Sequence, residues 1–304
     1  MSPSLKSDLM LILTAVIWGF AFAAQRMGMD HIGPFTYSAV RFALGAAVLL
    51  PLAVISTRRH LFAPRGAPGG CRVYAWGGGL AGLALFGGIS FQQTGLVYTT
   101  AGNAGFITGL YVVIVPLMGL LVRQRSTAGS WLGALLAAAG LYLLSITESF
   151  GIGRGDFLVL CGAVVWALHV HVIARVAPRT DPLMLAAIQF TLCAVLSGAA
   201  ALFFETVAWG GIVRAALPIL YGGLMSVAVA YTLQVVAQRH AQPAHAAIIL
   251  SLEVVFAAVG GWWFLDERFT TRALVGCGLM LAGMLLSQLY GLIGFKKTRQ
   301  GLTS

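Results

Sequence analysis

The sequence predicts an all-α membrane protein whose ten transmembrane helices form two inverted five-helix repeats, residues 1–148 and 149–304. Three observations predict this fold class. The chain is 59% hydrophobic and only 9% charged, whereas a soluble protein has about 25% charged residues. It contains ten apolar segments, each near the length of about 20 residues that an α-helix needs to cross a bilayer. The pattern of the first half also recurs in the second half.

The apolar segments are separated by short loops that hold most of the basic residues. In the fourth segment, 19 uncharged residues separate Asn103 from Arg123. Gly105 and Gly109 lie one helical turn apart, so we expect another backbone to approach them closely. Pro116 removes one helical N–H and predicts a kink. The ten segments cover residues 8–28, 34–56, 72–93, 99–122, 130–147, 155–173, 182–203, 215–237, 243–264 and 271–292.

The first segment has some features of a secretory signal peptide. Lys6 precedes an apolar core, and the run 21–23 (Ala-Phe-Ala) is similar to a cleavage site. Asp8 does not fit a basic leader region, however, and the same pattern recurs in the middle of the chain. We therefore expect this segment to be retained as a membrane helix.

The repeat is visible as residues that match at a constant offset. At an offset of 148, Asp8 matches Asp156, Trp18 matches Trp166, Pro34 matches Pro182 and Phe42 matches Phe190; at 142, Leu110 matches Leu252. Each half then holds five helices, and an odd number of helices makes the two halves insert with opposite orientation. This inverted-repeat plan is typical of secondary transporters, in which the substrate site lies between the repeats near the middle of the membrane.

Basic residues predict how the chain is oriented. With the N-terminus inside, the inner loops and ends carry thirteen Lys and Arg residues and the outer ones carry five. This bias predicts that both termini are cytoplasmic. The net charge of +10 therefore reflects membrane orientation, and we expect no nucleic-acid partner. The four cysteines are scattered without a Cys-x-x-Cys spacing, which predicts neither a disulfide framework nor a zinc site.

Several of these features together resemble a known family. They are the stretch 103–116 followed by Arg123, the Trp18 and Trp166 pair, the stretch 266–270 and the ten-helix duplication. The chain resembles the EamA branch of the drug/metabolite transporter superfamily, and within it the bacterial inner-membrane exporters of aromatic amino acids. The resemblance implies a basket of ten helices with a central cavity lined by helices 1, 3, 4, 6, 8 and 9. It also implies an exporter without a cofactor, and not an enzyme.

Glu253 is the only carboxylate that lies deep in a predicted helix. A charge at that depth is costly, so it is paired, protonated or facing water. Two interpretations remain open: a site linked to protons or to a substrate amine, or a neutral carboxyl group hydrogen-bonded between helices. Tyr111 is its equivalent in the first repeat.

Three other polar residues also leave alternatives open. Arg41 lies seven residues after Pro34, where snorkelling or an ion pair is favoured over binding of a substrate carboxylate. His169 shares a helix face with Trp166 and is either a cavity residue or a core histidine bonded to a carbonyl. His245, near the start of the ninth segment, leaves the same two choices. His171 points away from His169, so a metal site is not expected.

Amides, hydroxyls and aromatic rings in the predicted helices suit a zwitterion with an apolar side chain. Rings attract an ammonium group, and amides can bind a carboxylate. Interhelical hydrogen bonds are the alternative role for such residues. The predicted substrate-binding residues are Gln92, Tyr98, Asn103, Phe106, Tyr111, Trp166, His169, Tyr231, Gln234, His245 and Glu253.

We expect a monomeric, multi-pass inner-membrane exporter of small metabolites, foremost aromatic or neutral amino acids, that works by alternating access within the lipid bilayer. The glycine-rich stretches 77–79 and 222–223 would flex. The alternative is a drug or toxic-cation exporter with proton antiport through Glu253. A membrane-embedded protease is not expected, because the stretch 153–156 (Gly-Arg-Gly-Asp) lacks a second aspartate at membrane depth. A sensor or scaffold would carry a soluble domain, which the short loops do not provide.

Overall fold

A computed structural model describes residues 3–61, 71–121, 128–145 and 153–268, with parts of 270–286. Within these residues the secondary structure is helical and no β-strand occurs. The predicted segment 271–292 lies mostly outside the described residues, whereas the other nine predicted segments each overlap a helix. The all-α prediction is therefore confirmed for the part of the chain that the structure describes.

Within the described ranges, nine helices are long enough to be structural units and are labelled here in chain order. They are α1 Pro3–Met29, α2 Pro34–Leu61, α3 71–96, α4 Ala101–Leu121, α5 Ala128–Ser145, α6 Arg154–Val176, α7 Pro182–Phe204, α8 Ala216–Ala237 and α9 Pro243–Leu265. A 3₁₀ turn, Ala177–Arg179, extends α6, and a short helix, Trp209–Arg214, precedes α8.

Seven of these helices, all except α3 and α5, are long and apolar enough to cross a membrane. α3 carries polar Gln92 and Gln93 among several glycines, and α5 contains only the shorter apolar stretch Trp131–Gly140. The chain is therefore a multi-pass membrane protein. The full set of ten spanning helices stays a prediction.

The packing pairs helices of one half with helices of the other half. α1 packs on α8 and α9, while α6, its sequence equivalent, packs on α3 and α4. α2 packs along α7, with the rings of Phe42 and Phe190 6.1 Å apart. Glycine permits close approach at two points, since a Cβ at Gly19 would collide with Phe256 and one at Gly95 would lie 2.7 Å from the Gly155 carbonyl.

Two helices are interrupted at equivalent places. α4 consists of Ala101–Thr108 and Tyr111–Leu121, and α9 consists of Pro243–Leu250 and Glu253–Leu265. The predicted glycine pair faces α9, as expected, because a Cβ at Gly105 or Gly109 would press on Ala257 or Val254. Pro116 is not the site of the interruption, since the second part of α4 continues through it.

Two other helices contain π-helical turns. In α3 the turn is Tyr74–Gly78, between Cys71–Val73 and Gly79–Leu96. In α8 it is Tyr221–Tyr231, between Ala216–Leu220 and Thr232–Ala237. These turns overlap the glycine-rich stretches that the sequence predicts to flex, although Gly79 lies just after the first turn, and π-helical turns are common at functional sites.

Polar contacts join the helices at both ends of the bundle. At the end that holds the N-terminus, here the N-terminal face, Asp8 Oδ1 lies 2.8 Å from His245 Nε2 and the Ser7 hydroxyl donates to the Ala237 carbonyl at 2.8 Å. At the opposite face, the Glu267 carboxylate accepts from the backbone N–H groups of Ala101 and Gly102, at 3.0 and 3.1 Å. Both faces are therefore closed by contacts between helices.

Candidate functional site

A small cavity of about 30 Å³ lies among seven of the helices. That volume holds one or two water molecules, so the cavity is closed to a larger molecule in this conformation. The expected helices 1, 3, 4, 6, 8 and 9 all contribute, and α2 also contributes, through Arg41. The lining residues are Trp18, Phe22, Gln25, Arg41, Ile89, Gln92, Thr108, Tyr111, Trp166, Val170, Ser226, Tyr231, Gln234, Leu250 and Glu253.

Glu253 lies at the interruption of α9, as the first residue of its second part. Its side chain is 4% exposed, and its carboxylate forms no ion pair with a described residue. Tyr111 takes the same place at the interruption of α4. Its hydroxyl is a near neighbour of Glu253 but makes no hydrogen bond within the described residues. Both interpretations of Glu253, a site linked to protons or to a substrate amine and a neutral carboxyl group hydrogen-bonded between helices, therefore stay predictions.

Arg41 is the second charged residue of the cavity and is only 1% exposed. Its Nη2 lies 3.5 Å from Gln93 Oε1, and its buried Nε has no hydrogen-bond partner. No acidic residue of the described chain lies within ion-pair distance. The favoured expectation of snorkelling or an ion pair is therefore wrong for the described residues, because Arg41 is buried between α2, α3 and α8 without an acidic partner.

A chain of hydrogen bonds fixes the amides beside the cavity. Trp166 Nε1 donates to Gln92 Oε1 at 2.8 Å, and Gln92 Nε2 donates to Gln25 Oε1 at 3.3 Å. In the π-helical turn of α8, the Ser226 carbonyl accepts from Trp18 Nε1 at 3.2 Å. The two tryptophans predicted as repeat equivalents thus both line the cavity and both donate a hydrogen bond.

Tyr231 lines the cavity at the centre of four aromatic rings, of which Trp18 and Trp166 also line it. Its ring centroid lies 4.5 Å from Trp18, 5.9 Å from Phe42, 6.1 Å from Trp166 and 5.9 Å from Phe190. Such a cluster offers both apolar surface and π-faces. The cavity therefore combines aromatic surface with one cation, one carboxylate and several amides.

Two predicted residues, Tyr98 and Asn103, lie elsewhere, in an open groove at the opposite face. They are placed there because both sit where α3 ends and α4 begins. The Thr99 hydroxyl in this groove donates to Asp156 Oδ1 at 2.7 Å. The positions of Tyr98 and Asn103 near helix ends predict that they lie at this face. They do not predict that the groove is separate from the closed cavity.

Three more predicted residues are not among those that line the closed cavity, and each packs or pairs with other side chains. Phe106 packs against Val254 and Ala258. His169 is fully buried, with Nε2 2.9 Å from Gln189 Oε1, and His245 pairs with Asp8. His169 is thus a buried histidine bonded to a side-chain amide, and its Nδ1 has no hydrogen-bond partner among the described residues, so both of its predicted roles stay open.

Several lining residues are absent from the predicted set. Trp18, Phe22 and Gln25 fall at i, i+4 and i+7 of α1, which places them on one helix face. The sequence match of Trp18 with Trp166 is the signal that marks this face. Thr108 and Ser226 carry no comparable signal, since their places follow from the interruption of α4 and the π-helical turn of α8.

The residues that line the cavity suit the binding of a molecule better than the making or breaking of covalent bonds. No group of His, Cys, Asp and Glu in the described residues could hold a metal ion. The carboxylate of Glu253 and the guanidinium of Arg41, neither of which forms an ion pair with any residue that the structure describes, are instead complementary to opposite charges on a bound molecule. The rings are complementary to its apolar part.

Comparison with known proteins places the chain among transporters. An uncharacterized transporter of Archaeoglobus fulgidus is 32% identical over 289 residues, which cover 94% of this chain and 86% of the relative. The uncharacterized transporter YwfM of Bacillus subtilis is 25% identical over 92% of each chain. A WAT1-related chloroplast protein of Arabidopsis thaliana is 24% identical over 91% of this chain and 68% of its own.

Structural comparison gives the same fold. A solved crystal structure superposes with a TM-score of 0.74, covers 93% of this chain and 96% of its own, and is 20% identical in sequence. At that identity the likeness shows the fold alone. The two prokaryotic relatives are named transporters and not enzymes, and the EamA-like transporter family matches twice, over residues 5–146 and 153–289. The chain is therefore a membrane transporter that belongs to the EamA-like transporter family.

Proposed function

We propose that this transporter exports aromatic or other neutral amino acids across a bacterial inner membrane, as a monomer with both termini in the cytoplasm. The observation that carries the proposal is the Glu253 carboxylate, which has no ion-pair partner in a closed cavity with aromatic walls. A buried carboxylate without a counter-charge favours a ligand that brings a positive charge. The rings of Trp18, Trp166 and Tyr231 favour an ammonium group and an apolar side chain in the same space.

Alternating access would move the substrate through this cavity. A cavity of about 30 Å³ is too small for an amino acid, so the bundle must open before a substrate enters or leaves. The interruptions of α4 and α9 and the π-helical turns of α3 and α8 are places where helices can bend. Contacts at each face, Asp8 with His245 and Glu267 with the start of α4, would open in turn.

The second candidate is a drug or toxic-cation exporter with proton antiport through Glu253. The same observation favours it, because a carboxylate beside aromatic rings also suits an organic cation. In that case a proton and the cation would compete for Glu253. The two candidates differ in whether the substrate also carries a carboxylate.

A flux experiment in proteoliposomes tests the proposal. A panel of radiolabelled amino acids and a quaternary-ammonium dye would be followed with and without an imposed pH gradient. We expect saturable flux of aromatic and neutral amino acids. Dye movement without amino-acid movement would instead establish the cation exporter, and response of the flux to the gradient would identify proton coupling.

A further inference from the structure

We propose that Arg41 binds the carboxylate of the transported molecule, so that the cavity selects substrates carrying a carboxylate as well as an amine. This inference deepens the proposed function and rests on it for the identity of the substrate as an amino acid. The family match does not assign a role to this residue. The inference rests on burial, hydrogen bonding and packing around one side chain.

The guanidinium of Arg41 has more donors than the protein uses. An arginine carries five N–H donors, and here one nitrogen reaches Gln93 Oε1 at the long distance of 3.5 Å while the buried Nε has no partner. With 1% exposure, the charge is also shielded from bulk water. An unpaired buried charge is strongly unfavourable, and in the described part of the chain no carboxylate lies within ion-pair distance of Arg41, although Glu253 lines the same cavity.

Packing holds Arg41 in place for a counter-charge. Its guanidinium carbon lies 5.2 Å from the ring centroid of Tyr37 and 5.1 Å from that of Phe42. On the other side, α8 approaches so closely that a Cβ at Gly222 would lie 3.2 Å from Arg41 Cδ. A side chain held this tightly is preorganised and loses little conformational entropy when it binds a ligand.

The chemistry of a partner for Arg41 follows from the geometry of arginine. The planar guanidinium binds a carboxylate through two parallel hydrogen bonds. Glu253 lines the same cavity from α9 and is complementary to an ammonium group. A zwitterion would therefore lie with its carboxylate towards α2 and its ammonium towards α9. A permanent organic cation would meet Arg41 without a compensating charge and be disfavoured.

Three related ligands separate the contributions of the two charges. We would measure binding of L-phenylalanine, 3-phenylpropionate (carboxylate only) and phenethylamine (amine only) to the purified full-length protein by calorimetry. The variants are Arg41→Gln and Arg41→Lys, with Arg214→Gln as the matched control, since Arg214 is exposed in the short helix before α8. Gel filtration and thermal melting would establish that each variant is folded.

We expect Arg41→Gln to weaken binding of L-phenylalanine and 3-phenylpropionate by roughly 10- to 100-fold, as for loss of charged hydrogen bonds. Arg41→Lys keeps the charge but not the paired donors, so it should weaken binding of these two ligands less than Arg41→Gln does. Phenethylamine should bind to Arg41→Gln at least as tightly as to the wild type, and Arg214→Gln should change nothing.

The outcomes distinguish this inference from the proposed function. Equal binding of L-phenylalanine by wild type and Arg41→Gln would overturn the role of Arg41 but leave amino-acid export standing. Binding of 3-phenylpropionate but not of L-phenylalanine, lost in Arg41→Gln, would support Arg41 as the carboxylate site and make amino-acid export wrong. Failure of the folded wild type to bind either carboxylate would overturn the inference.

Discussion

Tyr231 is the residue around which the aromatic wall is built, with four neighbouring rings between 4.5 and 6.1 Å. Replacing it with alanine removes the central ring and leaves a void. We expect Tyr231→Ala to lower the free energy of unfolding by about 3–5 kcal/mol, as for other buried aromatic truncations. Tyr231→Phe keeps the ring and should change the free energy of unfolding by less than about 1 kcal/mol.

Thermal melting of the detergent-solubilised protein, with a denaturant series, measures this effect. Tyr142→Ala in α5 is the matched control, because Tyr142 is 59% exposed and its loss opens no interior void. Equal destabilisation by Tyr231→Ala and Tyr142→Ala would mean that the ring cluster contributes no more than an average surface side chain.

Glu253 gives a second prediction at this scale, on binding. Glu253→Gln keeps the shape of the side chain but removes its negative charge. Binding of L-phenylalanine and phenethylamine should weaken roughly 10- to 100-fold, while 3-phenylpropionate should bind at least as well as before. Calorimetry with these ligands measures the change, and Asp30→Asn, at an exposed site paired with Arg26, is the control. Unchanged binding of the amine would contradict a role for Glu253 in holding it.

Depth in the membrane could be predicted for single residues, but their partners could not. Glu253 stands out because a carboxylate amid apolar residues needs a reason to be there. Arg41 and His169 are also buried, yet one faces the cavity and the other is hydrogen-bonded to Gln189 through Nε2. The difference depends on the rotation of each helix against helices far away in sequence, which periodicity within a single segment does not contain.

At the scale of elements, two carboxylates act as caps for helices to which they do not belong. Glu267, just after α9, binds the first N–H groups of α4, and Glu205, at the end of α7, binds those of Phe35 and Thr36 in α2 at 2.7 and 2.8 Å. A carboxylate is favourable at a helix N-terminus because the N–H groups there lack helical partners. Each cap thereby fastens two helices together.

Glu267→Ala should loosen the start of α4 without affecting α2. Loss of a helix cap costs about 0.5–2 kcal/mol, so amide hydrogen exchange around Ala101 and Gly102 should accelerate several-fold. Exchange at Phe35 and Thr36 should stay as in the wild type. Glu205→Ala is the reciprocal control and should accelerate exchange only at the start of α2. Acceleration at both sites in either variant would indicate general loosening and not two separate caps.

The sequence predicts that α4 and α9 are equivalent helices, but it does not predict where they are interrupted. The match of Leu110 with Leu252 correctly makes the two helices equivalents. It does not place an interruption there, because leucine favours a helix and Pro116 is the stronger local signal. The α-helical hydrogen bonding instead breaks where Gly109 lies against Val254, so that contact between the two helices outweighs the local preference.

At the scale of the molecule, the two halves of the chain meet along most of its helices. α1 lies on α8 and α9, α6 lies on α3 and α4, and α2 lies on α7. The constant offsets in the sequence predict which helices are equivalent. They could not predict that the cavity is closed, because closure at each face depends on contacts such as Asp8 with His245, whose residues lie 237 positions apart.

Alternating access requires the contacts at the N-terminal face to separate during each transport cycle. Linking α1 to α9 there should therefore stop transport. In a chain whose native cysteines are replaced, Asp8→Cys with His245→Cys would be joined by a short, cleavable thiol crosslinker, since the native side chains approach to 2.8 Å. Amino-acid flux in proteoliposomes should fall to background after linking and recover when the link is cleaved.

Asp8→Cys alone and His245→Cys alone, treated with the same reagent, control for modification of the thiols. Both should keep the flux they had before treatment, because a single modified thiol leaves α1 and α9 free to separate. Full flux through a completely linked protein would mean that α1 and α9 do not part there, and the substrate would need a route that leaves this face closed.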